Sequence, residues 1–168
     1  MEKSPQISDI FDKNRIISES YFSDRYVLIF DNHSGTRHDS KICFMFPGQG
    51  SAFPGMFRNE YFKYRLIREK FELADKFAKK LGFQNPSDYI LTKDIVSDVY
   101  IIHNLSLFTC EVALAEVLML QGIKPDLITG HSFGEFAALV ASGIVPFEQM
   151  LELIYYRDIW CPKPFEIG

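Results

Sequence analysis

At 168 residues the chain is long enough for one domain with a substantial core, and a soluble globular composition that includes 16 Phe and 8 Tyr supplies the bulk to fill it. A formal net charge of -4 and the lack of a basic patch argue against nucleic acid as the main partner. The opening Met1-Glu2-Lys3-Ser4-Pro5 lacks the order of a secretory signal, no window approaches the ~18 uninterrupted apolar residues of a membrane span, and Cys43, Cys110 and Cys161 have no metal-type spacing, so a cytoplasmic protein with reduced thiols and no metal is expected.

Residues 1–24 are polar and mixed with weak helical signals, and Arg25-Tyr26-Val27-Leu28-Ile29-Phe30 reads as a strand. His33 and His38 follow in a hydrophilic, turn-rich stretch, where solvated loop histidines are favoured over ligands because no partner stands at metal spacing. Ile42-Cys43-Phe44-Met45-Phe46 is a short apolar run with the length of a buried strand, ending abruptly at Pro47-Gly48-Gln49-Gly50-Ser51. Gly48 and Gly50 let the backbone approach a ligand closely, but neither a dinucleotide fingerprint nor a P-loop is satisfied. What remains is a glycine-rich turn at a strand end whose N–H groups are available as donors.

Asn59 is placed to cap one long helix running to about Leu81, with Gly82 as its stop. Ile67, Phe71, Ala74, Ala78 and Leu81 form its buried stripe, and Arg65, Glu69, Lys76, Lys79 and Lys80 face away. Residues 89–103 read as loop with short helical pieces. From Asn104 to Gln121 the pattern is apolar on nearly all sides and ends at Gly122, which predicts a central, buried helix that includes Cys110 in its core. Asn104 either caps this helix or lines a site together with His103.

Leu127-Ile128-Thr129 reads as a short buried strand, and Phe136 to Ala141 as a helix closed by Gly143. Between them, Gly130-His131-Ser132-Phe133-Gly134 has the spacing of a nucleophile elbow. Small residues two positions either side of Ser132 let strand and helix pass close together while the serine is held in a strained turn. The helix's free N–H groups then face the space above Ser132, where negative charge developing on a substrate oxygen would be stabilised. A last helix runs from near Pro146 to about Trp160, and Arg157 projects from its apolar face. Its guanidinium cannot lose its proton, so burial demands an anion, either an internal acid such as Glu135 or Asp126 or a substrate carboxylate.

Phe46-Pro47-Gly48-Gln49-Gly50-Ser51, Gly130-His131-Ser132-Phe133-Gly134-Glu135 and Arg157, in that order, resemble the acyltransferases of fatty-acid and polyketide synthesis, the malonyl-CoA:acyl carrier protein transacylase family. The resemblance covers roughly residues 42–168 and implies an α/β fold: an α/β-hydrolase-like large subdomain with a short parallel sheet flanked by helices, the family's ferredoxin-like small subdomain being absent. Residues 1–40 then read as a leader or linker with one strand, and 41–168 as a partial acyltransferase domain. By position, Ser132 matches the nucleophile, the backbone N–H groups of Gln49 and Phe133 match the oxyanion hole, and Arg157 matches the holder of a malonyl-type carboxylate. Asn104, Gly48, Gly50 and His131 are the further substrate-site candidates.

The implied substrate is a malonyl-type CoA thioester and the implied acceptor is the phosphopantetheine thiol of an acyl carrier protein, with no bound cofactor, no nucleic acid and no membrane. The chain departs from the family at Ala52 and Asn104, where glutamines are usual, and at Asp158, where glycine or serine is usual; these positions bear on acyl selectivity. No histidine follows His131, so a complete Ser-His-Asp triad is not expected within these residues. Other synthase domains or a missing C-terminal half are the implied further partners. A non-catalytic fragment that binds CoA thioester or a partner synthase, and a hydrolase acting on acyl carrier proteins, are the alternatives.

Overall fold

The computed structural model describes residues 41–92 and 100–160, together with the backbone of strands β1 (Ile16–Phe22) and β2 (Arg25–Phe30). The chain divides into two units, Met1–Lys41 and Ile42–Gly168. In the first, β1 and β2 pair antiparallel from Ile16 opposite Phe30 to Phe22 opposite Arg25, with a register shift between Ile16 and Ser18. The strand expected at Arg25–Phe30 is present, and within residues 1–24, where the sequence carries only weak helical signals, Ile16–Phe22 is the strand β1. His33, His38 and Cys161 lie outside the described residues.

The second unit is helix-rich around a short parallel sheet. In chain order it contains β3 (Cys43–Phe46), a single 3-10 turn (Gln49–Ser51), α1 (Arg58–Lys63), α2 (Arg65–Lys80), α3 (Pro86–Leu91), α4 (Tyr100–Leu120), β4 (Leu127–Gly130), α5 (Gly134–Ala141) and α6 (Phe147–Trp160). Helix α4 is the centre, touching α2, α3, α5 and α6. By length and composition it could cross a membrane, but 78% of its most apolar window is buried against the rest of the protein, as befits a core helix. Leu105, Phe108, Cys110 and Ala113 are fully enclosed, and burial pushes the Cys110 thiol well above its ordinary pKa. Phe108 stacks on Phe147 of α6 at 5.2 Å between ring centroids, locking the two helices face to face.

Helices α2, α4 and α5 end in the same way. Gly82, Gly122 and Gly143 adopt φ of 80, 89 and 75°, and in each the following residue donates back to the carbonyl five residues earlier: Phe83 to Ala78, Ile123 to Leu118 and Ile144 to Leu139. Only glycine enters this left-handed cap without a Cβ penalty, which is why these stops are legible in the sequence.

The long helix expected from Asn59 to Leu81 is two helices. Tyr64, at φ -111 and ψ 120, is extended and separates α1 from α2. Asn59 lies inside α1 rather than at its cap, which is formed by Phe57 in a left-handed conformation with no side-chain cap. Ile67, Phe71, Ala74 and Ala78 are buried as the helical spacing requires, but Leu81 is 37% exposed because the helix has already ended. Helix α4 begins by Tyr100, so Asn104 is an interior, buried residue rather than a cap, and part of the stretch expected to be loop before it is α3.

The N-terminus of α3 is capped from another helix. Asp75 of α2 accepts from the Ser87 backbone N–H at 2.9 Å and from Ser87 Oγ at 2.6 Å. Replacing Asp75 with alanine strands both donors and is expected to cost about 1–2 kcal/mol in denaturant unfolding. Burial also raises the Asp75 carboxyl above its ordinary value of 3.8, an effect that the Ser87 bonds only partly offset. A raised acid adds stability that is full below the unfolded pKa and is lost as pH rises through the folded one. The advantage of the native chain over Asp75→Asn should therefore be largest below about pH 3.8 and shrink on raising the pH.

Candidate functional site

Strands β3 and β4 pair in parallel, Cys43 with Leu127, Phe44 with Ile128, Met45 with Thr129 and Phe46 with Gly130. Their carboxyl ends therefore coincide, and both glycine-rich turns leave the sheet side by side, where ligand sites of parallel sheets form. The strands are not fully buried as their apolar runs suggested. Phe44, Phe46, Ile128 and Gly130 face inward, while Cys43, Met45, Leu127 and Thr129 face out, Met45 being 76% and Leu127 60% exposed. Side chains alternate across a strand, and among the described residues only one face of this pair is covered.

At the elbow, Ser132 takes φ 54°, a left-handed conformation that costs a non-glycine residue about 1–2 kcal/mol. The strain is held by the neighbours. His131 N–H donates to the Phe46 carbonyl at 2.9 Å, and the N–H groups of Gly134 and Glu135 fold back onto the carbonyls of His131 and Ser132 at 3.0 and 3.2 Å. The two glycines are required by space. A Cβ on Gly130 would run into the backbone of Gly134 and Glu135, and one on Gly134 would overlap the carbonyl of Phe46. The first turn is tight without being closed to a side chain: a Cβ on Gly48 would stand 3.3 Å from His131 Nδ1 and 3.7 Å from the Ser132 Cβ. Gly50 faces open space, so its place in the turn is not forced by packing.

Ser132 and His131 are exposed at this apex. Among the described residues, neither the Gln49 nor the Phe133 N–H has an acceptor, and Ser132 Oγ has no hydrogen-bond partner. A serine at a strained apex with two free amides beside it is suited to attack on a carbonyl whose oxygen those amides would receive. His103, by contrast, stacks on Tyr89 at 4.5 Å with its Nε2 buried and unpaired, and belongs to the helix interior.

Arg157 sits 5.3 Å from the centroid of the Phe133 ring and 5.7 Å from that of Phe136, so the guanidinium lies against the elbow itself. Its anionic partner is neither Glu135 nor Asp126 but the adjacent Asp158, whose Oδ1 accepts from Arg157 Nη1 at 3.0 Å. Asp126 instead accepts from the Ile42 N–H at 2.9 Å, tying the start of β3 to β4. The other Asp158 oxygen accepts from Asn104 Nδ2 at 2.7 Å. Burial raises the Asp158 carboxyl above its ordinary pKa, while the Asn104 bond and the Arg157 charge pull it down less strongly.

The Gln49 amide completes the cluster. With its oxygen turned to Arg157 it accepts from Nη2 at 2.8 Å and Nη1 at 3.0 Å, and its nitrogen donates to Tyr100 Oη at 2.5 Å. Gln49, Arg157 and Asn104 are thus brought together with Tyr100 and Asp158 in one polar network behind the elbow. Sequence reasoning passed over Tyr100 and Phe136 as site residues. Tyr100 stands four residues before Asn104 on the same face of α4, a spacing that could have pointed to it.

Residues 43–163 match the acyl transferase domain family. The chain is similar to the malonyl CoA-acyl carrier protein transacylase of Bacillus subtilis, 34% identical over 124 residues, which covers 71% of this chain and 30% of that protein. Among solved structures it resembles the malonyl-CoA:ACP transacylase of Synechocystis sp. PCC 6803 with a TM-score of 0.63 and 29% identity, over 71% of this chain and 39% of that one. A type II polyketide acyl-carrier protein in complex with its malonyl-transacylase matches with a TM-score of 0.61 and 27% identity, over 70% of this chain and 38% of the other. The chain thus spans well under half the length of these relatives. Because the family match runs from β3 to beyond α6 and takes in both glycine-rich turns and Arg157, this chain belongs to the acyl transferase domain family.

Proposed function

We propose that this chain carries the nucleophile half of an acyl transfer from a malonyl-type CoA thioester to the phosphopantetheine thiol of an acyl carrier protein. The observation that carries it is the strained, exposed Ser132 flanked by the unengaged amides of Gln49 and Phe133. Ser132 Oγ adds to the thioester carbonyl, the oxyanion is received by those two N–H groups, and collapse breaks the C–S bond and releases CoA thiol. The carrier's thiol then adds to the seryl ester, and collapse returns the oxygen to Ser132. A base from outside the described residues takes the proton leaving Ser132 and gives it to the departing CoA sulfur, then takes the carrier thiol's proton and returns it to Ser132 Oγ. The similarity to a transacylase solved with its carrier protein supports the choice of acceptor. We read residues 42–160 as an α/β-hydrolase-like large subdomain and assign the reaction to the cytoplasm, where CoA thioesters and reduced thiols coexist.

The second reading is a binding module that holds a CoA thioester or a partner synthase without transfer, favoured by the unpartnered Ser132 Oγ. Incubation with malonyl-CoA and a holo-acyl carrier protein separates the two. Transfer predicts a carrier heavier by one malonyl group, with nothing gained by the apo-carrier or with Ser132→Ala. A carrier left unmodified while the thioester binds would favour the module.

A further inference from the structure

We propose that Asp158 sets acyl-group selectivity by occupying Arg157 from within, so that the site accepts malonyl and neutral acyl thioesters with little preference between them. The inference rests on the Ser132 acyl-transfer reading and names the substrate class of that same site. A free arginine fork would favour a malonyl over an acetyl group by gripping its carboxylate in two parallel N–H···O bonds. Here the fork is largely spent. Nη1 serves Asp158 at 3.0 Å, and with the Gln49 amide oxygen turned toward it the guanidinium also serves Gln49, through Nη1 at 3.0 Å and Nη2 at 2.8 Å. Among the described residues, only the Nε edge and one Nη2 hydrogen are left.

The charge is spent as well. The Asp158 side chain is 4% exposed and fixed from its far side by Asn104, so it does not swing away to make room for a substrate. Coulomb energy falls only as the inverse of distance, so a second carboxylate on the same guanidinium meets an attraction largely cancelled by the first. The rings of Phe133 and Phe136 close further approaches to the guanidinium and suit an uncharged acyl group equally well.

The test uses the full chain in a Ser132→Ala background, so that binding is read without turnover, with malonyl-CoA and acetyl-CoA titrated separately by calorimetry. The two dissociation constants should agree within about threefold, and Asp158→Asn or Asp158→Ser should shift their ratio at least tenfold toward malonyl. Adding Arg157→Ala to either variant should abolish that shift. A change that merely loosened the end of α6 would weaken both thioesters alike and leave the ratio alone. A chain that already prefers malonyl-CoA tenfold, or a ratio that Asp158→Asn does not move, overturns the inference while leaving acyl transfer standing. Binding of neither thioester overturns both.

Discussion

Replacing Gly134 with alanine should cost about 3 kcal/mol and lower the melting temperature by roughly 10 °C, although the same change at the start of an ordinary helix is neutral or stabilising. Alanine exceeds glycine in helix propensity by about 1 kcal/mol, so the sign of the effect isolates the local crowding. Gly134 opens α5 where it passes the end of β3, and the added methyl would occupy the Phe46 carbonyl, a backbone group with no rotamer through which to yield. To admit it, β3 and α5 must separate. That breaks the His131 to Phe46 hydrogen bond, which holds the two turns together. A Gly134→Ala variant melting within a few degrees of the native chain would show that strand and helix stand further apart than described. The same reasoning applies to Gly130, whose Cβ would meet Gly134 and Glu135.

Ser132 carries the second large effect, and there stability and chemistry should move in opposite directions. Its left-handed backbone is costly for serine and free for glycine, so Ser132→Gly should leave stability unchanged or raise it by up to about 1 kcal/mol. The same change removes the only hydroxyl at the elbow and should abolish acylation at this position. Ser132→Ala should abolish it equally while keeping the strain. A residue retained for packing would show the reverse, with stability lost on truncation and reactivity indifferent.

The elbow was legible because its demands are local: two glycines, a serine between them, and a change of hydrophobic period on either side all lie within a few residues. Helix stops at Gly82, Gly122 and Gly143 were legible for the same reason. The break at Tyr64 was not, because no glycine or proline marks it and the apolar spacing of α2 runs on plausibly toward Asn59. The apolar face carrying Arg157 was readable from helical spacing, but its partner was not. Neighbouring side chains on a helix do not face one another, so helical spacing alone gives no reason to pair Arg157 with Asp158 rather than with an acid such as Glu135 or Asp126. The guanidinium instead folds back to Asp158, itself fixed by Asn104 on α4, a contact 54 residues away in sequence that no local pattern encodes. The strands are less buried than their apolar runs suggest because alternation sends Met45 and Leu127 outward.

Ser132 should form an ester with an acyl group taken from CoA. This is tested most directly by incubating the intact chain with malonyl-CoA, measuring its mass and mapping any adduct by peptide sequencing. One malonyl group is expected, borne by the peptide containing Ser132 and absent from Ser132→Ala. An adduct that persists in Ser132→Ala, or a folded chain that binds malonyl-CoA and stays unmodified, would contradict ester formation at Ser132.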